Sequence, residues 1–170
     1  DICGDGIDNN CSGDELDCVD FFFRDPNGVT IRCPNANLGD TGVVDGVTYT
    51  KRSMGELIGL VVNQDIAGLE QSCTSGIESM AALFSNSGTV VSDISTWDTT
   101  DVMFMNSMFS YENYSPYYQQ TIDITHDISN WNTSNVIDMS HMFYGTSDFN
   151  QDIGSWDTSK VTSMSSMFSG

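Results

Sequence analysis

Trp156-Asp157-Thr158-Ser159-Lys160-Val161-Thr162-Ser163-Met164-Ser165-Ser166-Met167-Phe168 is the stretch that sets the architecture, because it occurs twice more upstream. The earlier copies are Trp131-Asn132-Thr133-Ser134-Asn135-Val136-Ile137-Asp138-Met139-Ser140-His141-Met142-Phe143 and Trp97-Asp98-Thr99-Thr100-Asp101-Val102-Met103-Phe104-Met105-Asn106-Ser107-Met108-Phe109. A truncated copy without its Trp, Ile77-Glu78-Ser79-Met80-Ala81-Ala82-Leu83-Phe84, opens the series. The Ile or Val that begins each core falls at 77, 102, 136 and 161, so the steps are 25, 34 and 25 residues: an array with one nine-residue insertion.

A period of 25 predicts a repeat solenoid, in which no coil buries its own apolar side and each is stable only against its neighbours. Val161, Met164, Met167 and Phe168 fall at i, i+3, i+6 and i+7, the spacing of one face of a short helix, with Thr158 or Ser159 to cap it. Asp152-Ile153-Gly154-Ser155-Trp156 is too short and Gly-broken for helix and reads as a brief extended piece. Each coil is therefore expected to be a short strand, a tight turn and a short helix. The Met and Trp ladders read as packing, with Met filling irregular gaps and each Trp stacking on the next.

Composition narrows the function classes. Twenty-four acids against five bases give a formal net charge of −19, and four of the bases, Arg24, Arg32, Lys51 and Arg52, precede residue 53, leaving only Lys160 beyond. Nucleic-acid binding is excluded, since phosphates need Lys and Arg. No apolar run reaches the roughly 18 residues of a membrane helix, so no span is expected. The chain starts at Asp1 without Met or signal peptide, which reads as a processed form. It ends at Gly170 just after a Met-Phe pair, where a continuation or a capping partner is expected.

Five cysteines point to an oxidising compartment. Cys33–Cys73 is expected to staple the region before the repeats, and Cys3–Cys18 is favoured among the remaining three, leaving Cys11 over. Zinc at the trio is disfavoured by spacing that is not C-x-x-C and by the lack of a nearby His.

Residues 1–20 are dense in oxygen donors. Asp8-x-Asn10-x-Ser12-Gly13 reproduces the first half of an EF-hand-type loop, but Val19 stands where the bidentate Glu belongs, so Asp14, Asp17 or Asp20 must complete the shell. The expected ion is calcium, held by Asp5, Asp8, Asn10, Ser12, Asp14 and Asp17; the alternative is an acidic disulfide-linked tail without metal. Residues 2 to 18 resemble the short Cys-Asp-Gly-x-Asp-Asn-x-Cys-x-Gly metal-binding motif of secreted bacterial surface proteins, with Ser12 in place of a common Asp.

Residues 21–76 read as a small α+β cap over the array. Val29–Cys33 is expected as a strand, Val43–Tyr49 as a hairpin whose Asp45-Gly46 suits a type I′ turn, and Ser53 with Glu56 as a capping box opening a helix. Residues 77–170 form the array, interrupted at about 110–122.

The residues Asn27–Ala36, Gly39–Gly42, Tyr49–Arg52, Cys73–Ile77 and Phe149–Ser159 resemble the BspA-family surface proteins, whose repeats are related to leucine-rich repeats. The resemblance spans about residues 27 to 170. It implies a leucine-rich-repeat-like solenoid in a secreted or surface-anchored protein associated with adhesion, and it carries over no catalytic residue. The insertion departs from the family period and holds four of the six tyrosines, Tyr111, Tyr114, Tyr117 and Tyr118. Insertions map to one face of such arrays, often the binding face, and Tyr suits contact surfaces. The alternative is a solvated loop folded on its own coil.

Asp93, Asp127 and Asp152 share one repeat position and are expected to cap turns. His126 and His141 fall in no nucleophile motif, so no enzyme is expected. Two expectations remain: a cell-surface structural, filament-forming or adhesin scaffold, or a module binding a glycan or protein through the tyrosine loop or the concave face.

Overall fold

The computed structural model describes residues 21–87, 92–111, 124, 126–146 and 149–170. Its regular elements all lie before residue 74: β1 (Phe23–Arg24), β2 (Ile31–Arg32), β3 (Thr41–Val44), β4 (Val47–Lys51), α1 (Met54–Val62), α2 (Ile66–Glu70) and β5 (Ser72–Cys73). β1 and β2 pair antiparallel, while a second sheet runs β3-β4-β5 with β3–β4 antiparallel and β4–β5 parallel. Asp45 (φ 52°) and Gly46 (φ 82°) are both left-handed, as a type I′ turn requires. Ser53 and Glu56 form a reciprocal capping box at the start of α1.

The expected solenoid of one strand and one helix per coil is not what the chain adopts. Among the described residues beyond 74 there is neither strand nor helix, only turns joined by isolated parallel bridges, Ser79↔Phe104, Phe104↔Asp138 and Asp138↔Ser163. The extended piece expected at Asp152–Trp156 is also a turn, closed by the Trp156 N–H on the Ile153 carbonyl at 3.1 Å.

Two physical causes explain the correction. The three-residue apolar spacing comes from successive i→i+3 turns, such as Val102 N–H to Thr99 O and Met108 N–H to Met105 O, which imitate a helical face. And alternate N–H groups point sideways, so they are lost to any i→i−4 helical ladder. Met80, Ala82 and Phe84 donate to the carbonyls of Phe104, Asn106 and Met108 at 2.9–3.0 Å. Met105, Ser107 and Phe109 donate to Asp138, Ser140 and Met142, and Met139, His141 and Phe143 donate to Ser163, Ser165 and Met167. The chain turns tightly at Ala82, Ser107, His141 and Ser166, one position per copy, each left-handed at φ 53–57°. A left-handed non-glycine residue costs about 1 kcal/mol, and at Ala82, Ser107 and His141 the same residue's N–H donates sideways to the next copy, which offsets that cost.

Phenylalanine, rather than tryptophan, forms the continuous stack. Phe84, Phe109, Phe143 and Phe168 lie 5.5, 5.7 and 5.5 Å apart with interplanar angles of 4°, 5° and 10°. Trp131 and Trp156 do stack, at 6.5 Å, but each indole is fixed chiefly by its N–H. Trp97 donates to Leu69 O, Trp131 to Ile94 O and Trp156 to Ile128 O, at 3.1–3.2 Å. Those donations extend the truncated first copy upstream of Ile77. Leu69 serves the first Trp as Ile94 and Ile128 serve the later ones, and Thr74 donates to Asp98 O as Thr99 does to Asn132 O and Thr133 to Asp157 O. The repeat geometry therefore starts inside the cap, with Ser72 where the Trp belongs and Cys73 where the Asp belongs.

Candidate functional site

The two structural units meet at a seam built around Asp98. Its side chain is about 1% exposed, and it accepts from the Ser75 hydroxyl at 2.5 Å, the Thr100 N–H at 3.1 Å and Arg32 Nε at 3.3 Å. Arg32 also reaches Asp25 at 3.4 Å. The Ile31 N–H donates to Thr96 O at 2.7 Å, so β2 is bound directly to the first full copy. Beside it a disulfide joins Cys33 to Cys73, 40 residues apart, and both cysteines are fully buried. Asp98→Ala is expected to cost about 2 kcal/mol, because it leaves the buried Ser75 hydroxyl and the Thr100 N–H without their acceptor while Arg32, partly exposed, keeps Asp25. Urea unfolding measures this, and a loss under about 0.5 kcal/mol, the floor for a buried hydrogen bond, contradicts the seam as described.

A groove of about 610 Å³ opens where β4 and the start of α1 face the first copy, bordered by Leu38, Lys51, Arg52, Met54, Gly76 and Glu78. Lys51 is only 9% exposed. Its ammonium donates to the carbonyls of Cys33 (2.9 Å) and Pro34 (3.3 Å), and no carboxylate pairs with it among the described residues. Arg52 Nη1 lies 3.7 Å from Glu56 Oε1, while its buried Nε has no hydrogen-bond partner. Gly76 is left-handed at φ 85°, and a Cβ there would stand 4.0 Å from Lys51 Nζ, so the ammonium lies next to this glycine on the groove wall. A second groove of about 430 Å³ shares Gly76 and Glu78 with the first and runs over Met103 and Ile137 toward Lys160.

Three carboxyls are held below their usual range. Glu56 is lowered by the Ser53 backbone N–H, the Ser53 hydroxyl and Arg52; Asp127 by the hydroxyl and N–H of Ser129; Asp157 by the N–H and hydroxyl of Ser159, with Lys160 adding less. A depressed folded pKa means that the contribution of these bonds is present above the unfolded carboxyl pKa and fades as pH falls through the folded value. Asp93, Asp127 and Asp152 each accept the N–H two residues on, from Ser95, Ser129 and Gly154, so all three cap turns.

The expected calcium ligands Asp5, Asp8, Asn10, Ser12, Asp14 and Asp17, the pair Cys3 and Cys18, and Tyr114, Tyr117 and Tyr118 lie outside the described residues. Tyr111 is half-buried, and its N–H donates to Tyr144 O at 2.7 Å. Among the described residues, no group of three or more His, Cys, Asp or Glu side chains is placed to hold a metal ion, and no helix is long and apolar enough to cross a membrane. His126 approaches Asp93 at 3.7 Å, and His141 packs on Tyr144, so the two histidines serve separate places.

Residues 53–170, the whole array with α1, α2 and β5, match the family model described as "Mycoplasma protein of unknown function, DUF285". The chain belongs to the DUF285 family. No curated protein matches it, and no solved structure does. The DUF285 match begins at Ser53, the N-cap of α1, so it takes in the stacked turns and one wall of the groove but leaves Lys51 and Cys33 upstream.

Proposed function

We propose that this DUF285 chain belongs to an extracellular, cell-surface protein and acts as a structural or adhesin-type scaffold of the BspA kind, without catalysis. The buried Cys33–Cys73 disulfide carries the reading, since such bonds persist in oxidising compartments and are rare where thiols are kept reduced. The net charge of −19 supports it, being suited to solubility outside the cell and unsuited to nucleic acid. The four stacked Phe rings and the turns hydrogen-bonded from copy to copy support a scaffold role, since they tie each copy to its neighbour. An amine-reactive label that does not cross membranes tests it on intact cells, because Lys160 is exposed. Labelling of Lys160 without lysis is expected; labelling only after lysis rejects the surface reading.

A further inference from the structure

We infer that the groove between β4, the start of α1 and the first copy is a carboxylate-binding site, with Lys51 and Arg52 as the groups that hold the anion. Four observations converge there. Lys51 is a nine-tenths-buried cation whose neighbours are two neutral carbonyls, and a buried charge without a counter-charge is costly unless an anion joins it. Two of its three N–H bonds are spent on Cys33 and Pro34, leaving one for a ligand. Arg52 beside it holds a buried Nε without a partner. And Lys51 and Gly76 line the same groove, where a Cβ on Gly76 would stand 4.0 Å from the ammonium.

The concentration of charge is local and unusual for this chain. Two of the five bases line one groove, while the array carries a single lysine against its many acids. Leu38, 63% exposed, and Met54 supply apolar wall for whatever body bears the carboxylate. Glu78 stands on the same rim and disfavours a doubly charged phosphate, so a singly charged, planar carboxylate is the better match for one ammonium and one guanidinium. That chemistry is offered by an acidic sugar or by the C-terminus of a peptide. The inference stands apart from the surface location, because it is read in the purified chain.

Methyl NMR of the full chain tests it, following Met54 during titration with glucuronate and with N-acetylalanine. Methyl glucoside and N-acetylalanine amide serve as neutral counterparts. A saturable shift with at least one acid is expected, with a Kd in roughly the millimolar range for so small a probe, and none with the neutral compounds. Binding by glucuronate alone assigns the site to acidic glycans, by N-acetylalanine alone to peptide termini, and by both to the carboxylate itself. Lys51→Met is expected to abolish the shift. Glu78 is exposed and its side chain makes no bond among the described residues, so Glu78→Gln keeps the fold whatever Lys51→Met does. Removing that like charge is expected to tighten binding roughly two- to fivefold. Equal shifts with neutral and acidic probes, no saturation with either acid, or weaker binding in Glu78→Gln overturns the inference.

Discussion

Truncating Phe109 to alanine lowers the stability of the chain by about 4 kcal/mol, the upper range for a buried aromatic. The ring is fully buried, lies between Phe84 at 5.5 Å and Phe143 at 5.7 Å, and stacks on Trp131 at 6.1 Å. The loss combines the transfer of the ring to water, the stacking with its neighbours and a cavity. The cavity cannot close by collapse, because the backbones on either side are pinned. Phe84 N–H is bonded to Met108 O, and Phe109 N–H to Met142 O, both at 2.9 Å. Phe168 holds the same position in its own copy but is 59% exposed, so Phe168→Ala is expected to cost only about 1 kcal/mol. Urea unfolding followed by tryptophan fluorescence compares the two, and equal losses contradict a stack that shares load between copies.

Replacing both Cys33 and Cys73 with alanine, or reducing the bond, removes about 4 kcal/mol by a different route. The bridge closes a loop of 40 residues, and in the chain-entropy picture that loop's freedom in the unfolded state is what its loss restores. Both sulfurs sit in a small core of their own with Ile31, Ala36, Val44 and Tyr49, so the alanine pair adds the loss of two buried sulfurs to the entropic cost, whereas reduction keeps both sulfurs in place. The signature is thus a fall in denaturation midpoint on adding reductant with the folded-state methyl spectrum largely kept. A loss under 1 kcal/mol contradicts the view that this bond staples the end of β2 to β5 within the cap.

The period was legible in the sequence because burial repeats with it: Val102, Met105, Met108 and Phe109 are fully buried, and so are their partners Val136, Met139 and Met142. What the period does not encode is local conformation. Apolar residues three apart suit a helix and a chain of turns equally, and the choice falls to the sideways hydrogen bonds, which join residues 24 or 33 apart, such as Ala82 to Asn106 and Ser107 to Ser140. The upstream half of the first copy, before Ile77, escaped notice because Ser72 and Cys73 stand in place of its two most recognisable residues. Its trace was there in Leu69 and Thr74, each 25 before Ile94 and Thr99. The tyrosines singled out for contact lie mostly outside the described residues, whereas the groove at Lys51 had no motif to announce it. It depends on a hairpin end, a helix start and a repeat copy being brought together, with Lys51 and Gly76 separated by 25 residues of unrelated sequence.

The central claim is that each copy is held by N–H groups donated sideways to the next, not by a helix or strand of its own. Amide hydrogen exchange, resolved by residue, tests it directly. The amides of Met80, Ala82 and Phe84, of Met105, Ser107 and Phe109, and of Met139, His141 and Phe143 are expected to be strongly protected, since each is bonded to the following copy. Met164, Ser166 and Phe168 occupy the same places in the fourth copy without such a partner among the described residues, and fast exchange is expected there. Uniform protection across all four copies, or fast exchange at Met105, Ser107 and Phe109, contradicts the account.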